Sequence, residues 1–197
     1  MKIFFLTLAI LTGAMTMQAA DVAAESRREA TFPMVTGTAQ TEGFLLATQD
    51  KAVPICTDVS DYEVVRIAAR MLADDIERVT GRRPLLQNVS QVPKEACVVA
   101  GTLGKSRLID GVVKRLKTDV SSISGKWESY IVLTTVHPQY HTPLLVIIGS
   151  DRRGTAFGLT TLSEAIGVSP WYWWADITPQ QKEALYVEPG MFCQREP

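Results

Sequence analysis

The sequence predicts an α/β fold, a single layered domain with a mixed β-sheet flanked by helices. Three observations point there. Residues 96–100 and 144–148 are apolar at every position, the mark of central strands covered on both faces. Three segments with helical apolar spacing alternate with such strand-like runs. The chain carries no internal repeat and no low-complexity tract, so one domain accounts for the pattern.

The elements follow in order. Lys2, the apolar run 3–11, Gly13, Ala14 and the small pair Ala19-Ala20 have the layout of a secretory signal peptide, expected at 1–20. That run is too short for a permanent bilayer-spanning helix, and no later run is longer. The mature chain is therefore expected to be periplasmic or secreted, with no membrane attachment after cleavage. Residues 21–31 are polar and expected to be loose, and the domain is expected over 32–187. Short apolar runs at 32–35, 43–48 and 52–57 read as strands. The clearest helix follows, with Ser60 as expected N-cap and Glu63 completing a capping box. Its expected apolar face is Val64, Ala68, Met71, Leu72, Ile76 and Val79. Gly81 suits a left-handed C-terminal residue, and Pro84 forbids continuation.

After strand 96–100, a second helix uses Leu108, Ile109, Val112, Val113 and Leu116. Residues 127–136 and 144–148 are β-rich and joined by a turn holding Pro138 and Pro143. A third helix is expected from about Thr155 to Ile166, stopping at Gly167, with Leu159, Leu162, Ala165 and Ile166 as its stripe. Residues 188–197 read as the start of a linker.

Composition narrows the function classes. The 197 residues carry a net charge of -1, with 46% hydrophobic and 21% charged residues. That mixture folds, and its balanced charge argues against a nucleic-acid binder. The length falls short of the roughly 250 residues of a catalytic (β/α)₈ barrel. Three cysteines, Cys56, Cys97 and Cys193, form no closed disulfide framework and no zinc pattern. Buried free thiols are expected at Cys56 and Cys97, with a bridge between them left open.

Several motifs reduce to plain readings. Gly101-Thr102-Leu103-Gly104-Lys105-Ser106 is similar to the end of a phosphate-binding loop, but Val99 stands where the required glycine belongs. A tight strand-to-helix turn is the better reading. His137 and His141, the two histidines, flank a proline turn without acidic or cysteine neighbours and read as surface turn residues, not metal ligands. Asn88-Val89-Ser90 is a glycosylation sequon, meaningful in a eukaryotic secretory route. No serine or cysteine has a base placed beside it by the sequence, so no catalytic residue is assigned. No metal-ligand set is readable in the sequence.

The most informative stretch begins at Gly149-Ser150-Asp151-Arg152-Arg153-Gly154. It continues through Ser163-Glu164 to Ser169-Pro170-Trp171-Tyr172-Trp173-Trp174-Ala175-Asp176. Three tryptophans fall within four residues, in a segment that Pro170 is expected to keep non-helical. An indole face stacks on the apolar side of a pyranose, and a carboxylate such as Glu164 accepts its hydroxyls. Arg152 and Arg153 follow a strand, where α/β sheets expose ligand sites, and a guanidinium there suits a carboxylate. On composition alone, packing against another domain outweighs binding.

This stretch, from Gly149-Ser150-Asp151-Arg152-Arg153-Gly154-Thr155 to Trp173-Trp174-Ala175-Asp176, resembles the N-terminal domain of glycoside hydrolase family 115, the xylan α-1,2-glucuronidases. Ala73-Asp74-Asp75-Ile76-Glu77-Arg78-Val79-Thr80-Gly81 and Gly125-Lys126-Trp127-Glu128-Ser129 are similar to the same family, and the resemblance runs from about Phe32 to Tyr186. It implies the small α/β domain that precedes the catalytic barrel in α-glucuronidases and hexosaminidases. It also implies removal of glucuronic acid or 4-O-methylglucuronic acid from xylan side chains by carboxylates on that barrel, without a cofactor. Glu164 and Trp171 match positions expected to touch substrate, and Arg153 is a weaker third. The expected partners are glucuronoxylan or an aldouronic acid oligosaccharide, and the missing barrel domain. Since the family's chain continues where this one stops, the sequence is expected to be a fragment truncated before the barrel and silent in catalysis by itself. A stand-alone carbohydrate-binding module and a non-binding scaffold are the alternatives.

Overall fold

The computed structural model describes residues 35–37 and 43–195. The expected signal peptide and loose segment, 1–31, lie outside the described residues. The elements run β1 (Val35–Thr36), β2 (Phe44–Thr48), β3 (Ile55–Thr57), α1 (Glu63–Thr80), β4 (Leu86–Asn88), β5 (Cys97–Thr102) and α2 (Arg107–Leu116). Then come β6 (Tyr130–Val136), β7 (Pro143–Gly149), α3 (Arg152–Ala165), α4 (Tyr172–Ala175), β8 (Ala184–Val187) and β9 (Met191–Gln194).

The expected α/β architecture is present. Six strands form a mixed sheet in the order β4-β3-β5-β7-β6-β9. Its first four strands are parallel, because helical crossovers join β3 to β4 and β5 to the strands beyond. The last two pairings are antiparallel. Strands β5 and β7, which carry the apolar runs 96–100 and 144–148, lie side by side at its centre. A second, three-stranded antiparallel sheet, β1-β8-β2, was not evident from sequence.

Strand alternation divides the core in two. Val98, Ala100, Leu145 and Ile147 face α1, α3 and the small sheet. Val99, Val146 and Ile148, their immediate neighbours in the chain, face α2 and Ile123 on the opposite side. Each central strand thus buries both faces, which explains its unbroken apolar composition. Among the described residues, no helix is long and apolar enough to cross a membrane.

The helix ends depart from expectation in instructive ways. Ser60 does not cap α1. Its N–H and Oγ–H both donate to buried Asp58 at 2.8 Å, and the cap position falls to Tyr62, which makes no side-chain cap bond. The neighbouring acid thus outcompetes the helix for Ser60. The buried face of α1 is also rotated from the one expected: Val65, Ala69 and Ala73 are buried, while Met71 is exposed. Gly81 does adopt the left-handed conformation, with φ 74°.

Helix α3 begins at Arg152, three residues before the expected start. Asp151 is its N-cap, accepting from the N–H groups of Arg153 and Gly154 at 2.9 and 2.7 Å. Arg152 and Arg153, expected just after a strand, therefore belong to a helix's first turn. The aromatic segment after Pro170 likewise folds into the short helix α4 instead of staying non-helical.

Two further expectations are revised. His137 is buried, not a surface residue. Its Nδ1 lies 3.2 Å from the amide nitrogens of Gln139 and Tyr140, and its ring stacks on Tyr140 at 4.6 Å, so it organises the turn from inside. Residues 188–197, read as a linker, supply β9, which pairs with β6 at the sheet edge. Cys56 and Cys97 are buried free thiols, as expected, and Cys193 is a half-buried one. The 101–106 segment is the tight turn expected: Gly104 has φ 69°, and Ser106 caps α2 through Ile109 N–H.

Candidate functional site

Helices α1 and α3 lie together on one face of the large sheet and share one apolar core. Their exposed flanks leave a groove of about 260 Å³ between them. Asp74, Asp75 and Arg78 line it from α1, Ser163 and Glu164 from α3, and Ser169 and Pro170 from the turn beyond.

That turn is shaped by how α3 ends. Gly167 has φ 104°, a conformation costly for other residues. Its N–H donates to Glu164 O at 2.9 Å, and Val168 N–H donates to Ser163 O at 3.1 Å. Lys182 Nζ donates to Ile166 O at 2.8 Å, placing a cation on the negative end of the helix dipole. The chain then lines the groove with Ser169 and Pro170. Trp171 N–H donates to Ser169 Oγ at 3.2 Å, and Tyr172 N–H to Ser169 O at 2.9 Å. The guanidinium of Arg78 lies 5.0 Å from the centre of the Tyr172 ring, tying α4 to α1. Tyr172 is half-buried by this packing, whereas Trp171 and Trp174 are 64% and 84% exposed.

The groove is acidic. Asp75 pairs with Arg78 at 2.6 Å, and Asp74 pairs with Arg83. Glu164 is exposed, and its carboxylate makes no hydrogen bond or ion pair among the described residues. Its charge reaches Tyr130, whose phenol is pushed up first by burial and further by Glu164, against the bond to Thr161. A carboxylate without an internal partner accepts sugar hydroxyls, and an exposed indole such as Trp171 presents a ring face. The carboxylate does not attract another one.

The structure therefore brings Glu164 and Trp171 to one end of α3. Arg153 sits at the other end, eleven residues and about 16 Å along the axis. There it pairs with Glu128 at 3.0 Å and lies over the Phe157 ring. Asp74, Asp75 and Arg78 were missed as groove residues. Their signal was present in the polar flank of α1, but nothing local says which flank meets α3.

A 4-O-methyl-α-glucuronidase of family GH115, with specificity for decorated arabinogalactans, superposes with a TM-score of 0.61 at 29% identity. The fold is GH115-like. The match covers 75% of this chain but 18% of the neighbour, so the chain spans less than a fifth of the protein it resembles. The solved structure of CpGH84D aligns over 81% of this chain and 23% of its own, at 9% identity and a TM-score of 0.48. No protein-family model matches the chain, and no curated protein matches it.

Proposed function

We propose that the chain is an auxiliary α/β domain of an exported glycoside hydrolase that removes glucuronic acid or 4-O-methylglucuronic acid from glycan side chains. In this reading Glu164 and Trp171 contribute to the rim of a substrate pocket whose catalytic carboxylates lie on a barrel domain. The observation that carries it is the GH115-like fold, matched over most of this chain and a small part of the larger enzyme. The groove supports the same role, since the Glu164 carboxylate lines it and the exposed Trp171 follows directly on Pro170 of its lining, a pair of residue types that suits a neutral pyranose unit.

The family resemblance in the sequence points to xylan as the decorated backbone. The similar solved enzyme is specific for decorated arabinogalactans. The side-chain uronic acid is common to both, and xylan is the backbone we propose. Export rests on the signal-like segment at 1–20.

Calorimetry tests the proposal. The purified chain is titrated with aldouronic oligosaccharides from xylan and with glucuronylated arabinogalactan oligosaccharides. Binding is expected, stronger for the xylan series, and weakened in Glu164→Gln and Trp171→Ala. No release of 4-O-methylglucuronic acid is expected from the chain alone. Flat titrations with both series, or measurable hydrolysis, overturn the reading.

A further inference from the structure

We propose that the sheet edge carrying the C-terminal ends of β3, β5 and β7 holds a second site, for a saccharide bearing a carboxylate. A depression of about 260 Å³ opens there, lined by Tyr62, Trp127, Asp151, Arg152 and Arg153. Ligands of open α/β sheets bind beyond the carboxyl ends of their strands.

The charges at this edge are sorted by role. The acids are turned inward as acceptors of backbone N–H groups. Buried Asp58 accepts from the N–H groups of Ser60 and Leu108 at 2.8 and 3.1 Å. Buried Asp61 accepts from those of Tyr62 and Thr102 at 2.7 and 2.8 Å. Asp151, the acid that lines the depression, commits Oδ1 to Arg153 and Gly154 N–H and Oδ2 to Glu128 N–H. The cations face out. Arg152 is exposed and has no ion pair among the described residues. The Arg153 side chain is 58% exposed despite its bond to Glu128. Lys105 stands over the Tyr62 ring at 5.5 Å.

The aromatic component is held as firmly. Trp127, 71% exposed, immediately precedes Glu128. Glu128 has φ 53°, a left-handed conformation that is uncommon for a residue with a side chain. Its N–H bond to Asp151 and its ion pair with Arg153 hold it there. Backbone strain maintained in this way gathers at ligand sites, and here it sits next to Trp127, which lines the same depression as the arginines.

An indole face, a phenol and a guanidinium without an internal partner together select a pyranose that carries a negative charge. A neutral sugar leaves Arg152 unused, and a bare inorganic anion leaves the rings unused. Pockets for larger ligands start near about 300 Å³, so this one admits a single ring. The site goes beyond the function proposed above and uses none of the groove's residues.

The test is an NMR and calorimetric titration of the chain with methyl α-D-glucuronide, methyl α-D-glucoside and sodium sulfate. The glucuronide is expected to move the Trp127 indole N–H resonance, and the glucoside and sulfate to leave it in place. Arg152→Met is expected to lose about tenfold in affinity, the worth of one charge-assisted hydrogen bond. Trp127→Ala is expected to abolish binding. Both side chains are exposed, and an unchanged thermal midpoint confirms that each variant folds. Equal binding of glucoside and glucuronide, competition by sulfate at equal concentration, full affinity in Arg152→Met, or an unmoved Trp127 signal overturns the proposal. Amide shifts at Arg78 and Glu164 report the groove separately, so failure at one site is not confused with failure at the other.

Discussion

Gly154→Ala asks whether the glycine-rich stretch before α3 is a packing device. A Cβ on Gly154 would stand 2.3 Å from Ser129 O and 3.1 Å from Ser129 C, both backbone atoms. That backbone cannot easily retreat. Ser150 N–H donates to Ser129 O at 2.8 Å, Ser129 N–H donates to Ser150 Oγ at 3.1 Å, and Glu128 is held by Asp151 and Arg153. Overpacking of this kind costs about 1–3 kcal/mol, and each hydrogen bond broken to relieve it about 1 more. Alanine's better helix propensity returns about 1 kcal/mol. The net expectation is a loss of about 1–3 kcal/mol, or roughly 3–12 °C in melting temperature for a domain of this size. Gly111 is the matched control. It lies in α2, and a Cβ added there would meet nothing within 4 Å, so Gly111→Ala is expected to stabilise by about 0.5–1 kcal/mol. Urea and thermal denaturation of both variants measure the two signs. A Gly154→Ala protein as stable as the parent would refute the packing argument.

Two further outcomes follow from buried titratable groups. Burial, and then the Arg115 guanidinium 3.2 Å from Nε2, hold the His137 imidazole below its ordinary value of 6.5. The folded state thus resists a proton that the unfolded chain accepts, so stability is kept above that value and lost as pH falls through it. The urea midpoint is expected to drop between about pH 7.5 and about pH 5.5, and to drop less in His137→Gln; equal slopes would contradict this. The hydrogen bond with Cys97, with burial, pushes the Cys56 thiol far up from its ordinary range. A thiol reagent is therefore expected to label Cys193 first and to reach Cys56 and Cys97 only on unfolding; rapid labelling of all three would contradict their burial.

The parts legible in the sequence were those whose signal is local. Strands β5 and β7 announce themselves by unbroken apolar runs because both faces are covered. The end of α1 is written in Gly81 and Pro84. The start of α3 was hidden because Gly154 lowers helix propensity at the place where close contact with Ser129 requires a glycine. The small sheet was hidden because β2 and β8 are paired across most of the chain. Strand β9 is four residues long beside Pro189 and Gly190, and only its pairing with β6 distinguishes it from a linker. For the candidate site, residue types were readable and distances were not. Glu164 lies in the last turn of α3 and Trp171 in the segment beyond Gly167, whereas Arg153 is carried to the opposite end once the helix is seen to start at Arg152.

Everything proposed for the α1–α3 groove depends on its receiving sugar. Backbone amide NMR of the chain, titrated with a 4-O-methylglucuronosyl xylo-oligosaccharide, decides that point. Saturable shifts are expected at Asp74, Arg78, Ser163, Glu164 and Trp171. If these amides stay in place at saturating ligand, the groove is not a carbohydrate site and the proposed role fails.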